Sequence, residues 1–447
     1  MAHGTPATGL YPHIGEQSYL QVLGTYGLLK SRQGIEPIRV SKEAALLLAA
    51  CDGRSSMEEI ISRHFDSGAS SSDESFCEAL ITINKLIGQG VVVFEENPRS
   101  FGVETFRSEE LHYPEAMHVE LTTTCNLHCF FCYRNAGPAR DEGGLPTDQL
   151  LGILSKLHDR GLRAVELTGG EPLLHPDFGR IVEFCGRTFP ITSILTNGTM
   201  IDDSLVQGIA MLKDSIVVGV SLESHRPEEH DRRCGVKGSF GKATAAIATL
   251  AGFGMKTRVA MAVDAANWDD VEPALLLSRK LGATAFTYSA ILPFGRAGNE
   301  PRLWDLDAKE VWQRERYLNE TYGDFIQTLD VNRKQQLTQP GSCGAGHRAF
   351  AMDPMANVRL CVTMDSSMGV IGSLATQTPE EVFSHPLTKL SAVVEAPRPE
   401  VCGACKFAYF CHNCLLRGLM AHRSLGAGKC AWMVNPTVSR WAQIVLR

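Results

Sequence analysis

From residue 118 to residue 292 the chain alternates short strand-like runs with amphipathic stretches, and this alternation restricts the fold more than any other feature. Six such runs recur: "HVELTTT", "AVELTGG", "TSILTNG", "SIVVGVSLE", "TRVAMAVD" and "AFTYSAIL". Helical patterns separate them, as in "TDQLLGILSKLHDRG", where Leu150, Ile153, Leu154 and Leu157 share one face. Repetition of strand and helix gives a parallel sheet with right-handed crossovers. Six units predict an α/β fold, an open partial (β/α)6 barrel rather than a closed eight-stranded one. Its span is residues 118–295.

The flanks follow different patterns. Residues 16–97 predict a compact winged-helix-like unit. In it "YLQVLGTYGLL" and "EPIRV" form a strand pair, Ser41 caps a helix through "KEAALLLAAC", and Ser55 with Glu58 has capping-box spacing. A third helix, "SFCEALITINKLIGQG", feeds the strand "VVVF". Residues 98–117 are polar and aperiodic and read as a linker; residues 296–342 read as a bridge with a charged helix. Residues 343–447 carry seven cysteines and little periodicity, so metal is the expected organiser.

Charge and composition narrow the function. The formal charge is −7, which argues against a broad nucleic-acid or anionic-membrane surface. No apolar run approaches the ~18 residues of a membrane span. The N-terminus lacks the basic and apolar regions of a secretory signal, so a cytoplasmic location is expected. Fourteen cysteines in such a chain need a reason other than extracellular disulfides, and metal or redox chemistry supplies one.

Cys125, Cys129 and Cys132 follow the first barrel strand, where such folds place their chemistry. Cubane clusters are normally held by four thiolates, so three cysteines leave one iron without a protein ligand, an open site for chemistry. A zinc knuckle or three buried thiols is the bland alternative. The spacing C-x3-C-x-aromatic-C, with Phe131 as the aromatic, resembles the signature of the radical S-adenosylmethionine (AdoMet) enzymes. That resemblance implies a [4Fe–4S] cluster whose open iron chelates AdoMet and whose reduction yields a 5′-deoxyadenosyl radical. Further strand ends resemble the family's cofactor contacts. Gly169, Gly170 and Glu171 in "GGEP" match the motif for the AdoMet amino group. Thr196 and Asn197 end the third strand, and Ser221 and Glu223 stand where the family contacts the ribose.

In the tail, "CGACKFAYFCHNC" spaces its thiols C-x2-C-x5-C-x2-C; a zinc ribbon is the alternative, although its knuckles usually lie further apart. The arrangement resembles the SPASM domain, which binds auxiliary [4Fe–4S] clusters. Carried over, Cys343, Cys361 and Cys414 hold a first auxiliary cluster, and Cys402, Cys405, Cys411 and Cys430 a second, three clusters in all. Two departures stand out: only His412 and Asn413 separate the last two cysteines of the block, and Ala356 replaces an expected glycine. No cysteine lies just upstream of Cys343, so an open iron that could take a substrate thiolate is a further expectation. Cys51, Cys77, Cys185 and Cys234 are read as packing.

The first unit counts seven Lys/Arg against twelve Asp/Glu over residues 16–96, the wrong sign for phosphate binding. Its stretch "IRVSKEAALLLAACDGRSSMEEI" resembles the recognition element of maturases of ribosomally made peptides, which adds a leader peptide to a sheet edge; a structural cap for the barrel is the alternative. The resemblances together imply a radical AdoMet maturase that abstracts hydrogen from a precursor peptide and closes a thioether or carbon–carbon crosslink. Its partners would be a leader-bearing peptide and an electron donor such as flavodoxin or ferredoxin, with no nucleic acid and no membrane. Formylglycine-type oxidation and epimerisation are the rival activities, and a non-enzymatic iron–sulfur regulator the rival of another class. No general base can be named from the sequence.

Overall fold

The structure, a computed structural model, describes residues 10–446 except 16–17, 23–25, 32–37, 67–72, 102–104, 108–112, 139–142, 300–307, 327–343, 365–366, 404, 406 and 426–429. The chain divides into two compact units, Met1–Leu111 and His112–Arg447.

In the first unit a four-stranded sheet runs in the order β4-β3-β2-β6, formed by β2 (Ser18–Val22), β3 (Tyr26–Ser31), β4 (Ile38–Ser41) and β6 (Thr105–Arg107). A second pair joins β1 (Tyr11–Ile14) to β5 (Val92–Glu95). Three helices, α1 (Lys42–Ala49), α2 (Met57–Asp66) and α3 (Asp73–Gly88), supply the core with Leu47, Leu48, Ile60, Ile83 and Leu86. Ser41 caps α1 as its position predicts, accepting from the Ala44 N–H at 3.2 Å. The capping box of α2 lies one residue later than expected. Ser56 and Glu59, not Ser55 and Glu58, exchange the reciprocal bonds, at 2.9 and 3.3 Å. Two strands also escape the sequence pattern. β1 precedes the expected start of the unit, and β6 falls inside the stretch read as a linker, pairing in parallel with β2. Both are short and ladder-driven, and backbone pairing leaves no side-chain period to read.

The second unit is built on one nine-stranded sheet in the order β12-β11-β10-β9-β8-β7-β13-β14-β15. Its barrel strands are β7 (Ala116–Glu120), β8 (Ala164–Thr168), β9 (Ile191–Thr196), β10 (Ile216–Ser221), β11 (Lys256–Val263) and β12 (Ala285–Ala290), all parallel. The helices between them are α4 (Thr147–Asp159), α5 (Phe178–Thr188), α6 (Asp203–Ile209), α7 (Pro227–Cys234), α8 (Ser239–Gly252) and α9 (Val271–Lys280). α4 buries Leu150, Ile153, Leu154 and Leu157, the face its period predicts. Each crossover moves one strand along, so sequence order equals spatial order, and β7 and β12 do not pair. The sheet is therefore open, as six units require.

A charged helix, α10 (Ala308–Tyr322), follows the barrel. The C-terminal region then continues the barrel sheet instead of packing beside it. β13 (Ala349–Met352) pairs in parallel with β7, and β14 (Asn357–Arg359) and β15 (Val370–Ser373) extend it antiparallel. Beyond it, the helix at Pro436–Val445 packs on the helix at Pro386–Val393, and Trp441, 1% exposed, donates to Ser391 Oγ at 3.0 Å. Apolar packing, with Trp432 and Trp441 both buried, thus helps to order this region alongside the metal expected from its cysteines.

Candidate active site

The loop after β7 carries Cys125, Cys129 and Cys132 and is held by its own backbone. Cys125 N–H donates to Gly137 O at 3.2 Å, and Cys132 N–H to Cys129 O at 3.2 Å. Two main-chain donors already point at sulfur: Leu127 N–H to Cys125 Sγ and Ala136 N–H to Cys132 Sγ, each at 3.4 Å. Burial, offset only in part by that Leu127 bond, pushes the Cys125 thiol up to about 12. Cys129, hydrogen-bonded to the Cys234 thiol and buried, is held well above the usual thiol range. Thiols so placed ionise only with a cationic centre among them, and the N–H donors suit a thiolate. Among the described residues no three Cys, His, Asp or Glu side chains converge on a single ion.

The strand ends close on this loop. Gly169 has φ +135°, and a Cβ on Gly170 would stand 2.0 Å from Thr124 O, so only glycines let the turn after β8 lie against the cysteine loop. Gly170 N–H and Glu171 N–H donate to Thr122 O and Thr124 O at 2.6 and 2.8 Å. The Glu171 side chain, 1% exposed, accepts from Thr196 Oγ1 at 2.7 Å, Asn197 N at 2.8 Å and Leu173 N at 3.2 Å. Burial outweighs these donors and pushes its carboxyl up to about 7. Asn197 in turn donates to Asn126 Oδ1 at 2.8 Å and lies 3.9 Å from Cys125 Sγ. Thus Glu171, Thr196, Asn197 and Cys125 form one hydrogen-bonded group. Ser221 ends β10. Glu223, 4% exposed, makes a separate bond: its Oε2 accepts from Ala262 N at 2.8 Å.

Three arginines and a histidine join the site without any signal in the sequence reading. Arg296, placed in the bridge, donates from Nε to Cys129 O and from Nη1 to Ala136 O, both at 2.7 Å, clamping the loop's carbonyls. Arg233 is fully buried, bonds Asp264 at 2.9 Å and lies 5.4 Å from the Phe131 ring centroid. Arg359, two residues before Cys361, reaches Glu120 Oε1 at 2.6 Å and so ties the end of β7 to the C-terminal region. His230 donates or accepts at Cys234 Sγ across 3.5 Å. Their partners are tertiary, and only the buried charge itself could have drawn notice.

In the C-terminal region Cys402, Cys405, Cys411 and Cys430 line one small cavity together with Phe407, Trp432 and Gly418. Cys361 instead lies near Cys414, whose charge raises its thiol after burial does so. Cys343 lies outside the described residues. The four-thiol cavity suits a cluster: burial and the neighbouring thiols leave Cys411 well above the usual thiol range until a cation compensates.

Residues 119–277, which take in the cysteine loop and the strand ends around it, match the model of the Radical SAM superfamily. Similarity to particular proteins runs further. The chain is 27% identical over 452 residues to the antilisterial bacteriocin subtilosin biosynthesis protein AlbA of Bacillus subtilis, covering 98% of this chain and 99% of the relative. The sporulation killing factor maturation protein SkfB, also of Bacillus subtilis, is 27% identical over 59% of this chain and 64% of its own. Streptococcus suis SuiB bound to precursor peptide SuiA has the same fold, with TM-score 0.63 at 15% identity over 92% of this chain and 97% of that one.

Proposed function

We propose that this chain is a radical AdoMet maturase of a ribosomally made peptide, and that it forms an intramolecular thioether or carbon–carbon crosslink. The observation that carries the reading is the end-to-end similarity to a bacteriocin biosynthesis protein, which takes in the first unit as well as the barrel. When bound, the cluster and AdoMet supply a 5′-deoxyadenosyl radical that abstracts hydrogen from an unactivated carbon. Cys125, Cys129 and Cys132 would hold the cluster. Gly169 and Gly170 leave the main chain close to the loop, and Glu171, ionised, would pair with the AdoMet ammonium. Phe131, Thr196, Asn197, Ser221 and Glu223 would contact the rest of AdoMet.

Cys343, Cys361 and Cys414 would hold one auxiliary cluster and Cys402, Cys405, Cys411 and Cys430 the other, accepting the surplus electron. The common cavity of the last four thiols supports that set. The first unit would bind the leader by strand addition, and flavodoxin or ferredoxin would donate electrons. Among the described residues no helix is long and apolar enough to cross a membrane.

The test is iron, sulfide and zinc content of anaerobically purified protein, with a C125A/C129A/C132A variant beside it. Three cubanes give ~12 irons per chain, falling to ~8 in the variant. Zinc in the tail instead would refute the auxiliary clusters. Incubation with the neighbouring precursor peptide, AdoMet and reductant should then give 5′-deoxyadenosine and a peptide lighter by two hydrogens within one chain. An aldehyde trapped by hydrazine would indicate formylglycine-type oxidation, and no mass change in ordinary water with deuterium uptake in heavy water would indicate epimerisation.

A further inference from the structure

Every crossover of the barrel advances one strand in the same direction, so its helices lie on one face of the sheet and the other face lines the lumen. The pleat sorts the side chains accordingly. Val119, Leu167, Ile194, Val218 and Val259, each 2% exposed or less, form the helix-facing set. On the lumen face His118, Glu166 and Ser193 stand side by side in register, and Arg258 of β11 shares that face. His118 Nδ1 lies 2.9 Å from Glu166 Oε1, and Arg258 Nη2 donates to Glu166 Oε2 at 3.0 Å. Arg258 passes through the space that Gly219 leaves, where a Cβ would come within 3.4 Å of Nη2. Glu166 is one inward step, roughly 7 Å, below Thr168, after which β8 gives way to the paired glycines of the site.

The bonds decide the tautomer. Burial acts to raise the Glu166 carboxyl, but the bonds from His118 and Arg258 outweigh it and hold it at about 2. The group is an ionised carboxylate that only accepts, so His118 donates from Nδ1. In a neutral imidazole that leaves Nε2 as a lone-pair acceptor. Nε2 has no hydrogen-bond partner among the described residues, and the His118 side chain keeps 31% of its surface exposed. Glu120, the next lumen-side carboxylate on β7, is taken up by Arg134 and Arg359. A histidine oriented by a carboxylate, with its second nitrogen unspent, has the form of a general base. Nothing in "HVELTTT" marks it as one, because its partner lies on the next strand.

We infer that His118, held by Glu166, is the base that takes the proton released when the peptide crosslink closes as a thioether. The inference rests on the maturase reading above and commits it to a thiol as the second partner. Closing a thioether removes two hydrogens from the peptide. One leaves carbon as an atom and goes to the 5′-deoxyadenosyl radical, giving 5′-deoxyadenosine. The other leaves sulfur as a proton, to His118 Nε2, while the carbon–sulfur bond forms. The one remaining electron goes to a one-electron acceptor, an auxiliary iron–sulfur cluster in that reading.

The test compares wild-type, H118Q and E166Q holoprotein, each checked for iron content, with AdoMet, reductant and the neighbouring precursor peptide. Crosslinked peptide is counted per 5′-deoxyadenosine formed. The expected ratio is lower by roughly 100-fold or more in H118Q, with 5′-deoxyadenosine still made, and intermediate in E166Q. A second readout needs no turnover: diethyl pyrocarbonate, which acylates unprotonated imidazole nitrogen, should label His118 in the holoprotein, and the precursor peptide should protect it. A wild-type ratio in H118Q overturns the proposal. So does loss of 5′-deoxyadenosine along with the crosslink, which would make His118 structural, and so does labelling that the peptide leaves unchanged. A wild-type product whose thiol still reacts with iodoacetamide overturns it as well. Absence of both products in wild type would instead overturn the maturase reading beneath it.

Discussion

Replacing Arg296 by Leu should loosen the cysteine loop without unfolding the chain. The guanidinium makes two 2.7 Å bonds, to Cys129 O and Ala136 O, and a third at 3.2 Å to Asn135 Oδ1. Hydrogen bonds from a charged group contribute roughly 1.5–3 kcal/mol each. The three share one half-buried cation and are not additive, so the set is worth about 3 kcal/mol, or a factor of roughly 100 in the equilibrium between closed and open loop. Iron that Cys129 would hold is released to a chelator through the open form. R296L should therefore release the cluster's iron to bathophenanthroline roughly 100-fold faster, whereas R296K, which keeps the charge but not the fork, should fall between. Far-UV circular dichroism would confirm the fold. Release from R296L at the wild-type rate would refute the clamp.

The G170A variant should abolish AdoMet cleavage while remaining folded, because its Cβ would meet the Thr124 carbonyl at 2.0 Å and push the cysteine loop aside; 5′-deoxyadenosine production checks this. Glu171, raised to about 7 by burial, holds a proton in the folded chain that the unfolded chain has released above about 4.5. Its contribution to stability without AdoMet is full below about 4.5 and is lost as pH rises through 7, by up to about 3 kcal/mol. Urea unfolding of AdoMet-free protein at pH 5.5 and 8 should show this loss in wild type and much less of it in E171Q. Arg359 and Glu120 are 1% exposed each, so R359M leaves a buried carboxylate with Arg134 as its remaining cation. The variant should lose about 3 kcal/mol or more, read as a lower urea midpoint. Replacing Cys411 by Ser removes one thiol of the four-cysteine cavity and should lower iron content by ~4 and the melting temperature with it, since cluster binding adds to folding stability.

Much was legible in the sequence because it is written in local pattern. Leu150, Ile153, Leu154 and Leu157 repeat at the helical period, and β-branched runs return at crossover length, so the six parallel strands followed. The spacing of Cys125, Cys129 and Cys132, and the glycines beside Glu171, are also local. What the sequence could not show is which distant residues close on them. Arg296 is 164 positions beyond Cys132, and Arg359 is 239 beyond Glu120; their bonds exist only because the sheet brings strand ends to one edge. The same cause hid the join between barrel and C-terminal region, since β13 pairs with β7 through main-chain groups that every residue carries. Composition and spacing thus determined the fold class and the chemistry of the donors. The tertiary structure decided which charges steady the cysteine loop and pinned the end of α7 against it, because burial and hydrogen-bond direction are properties of the packed chain.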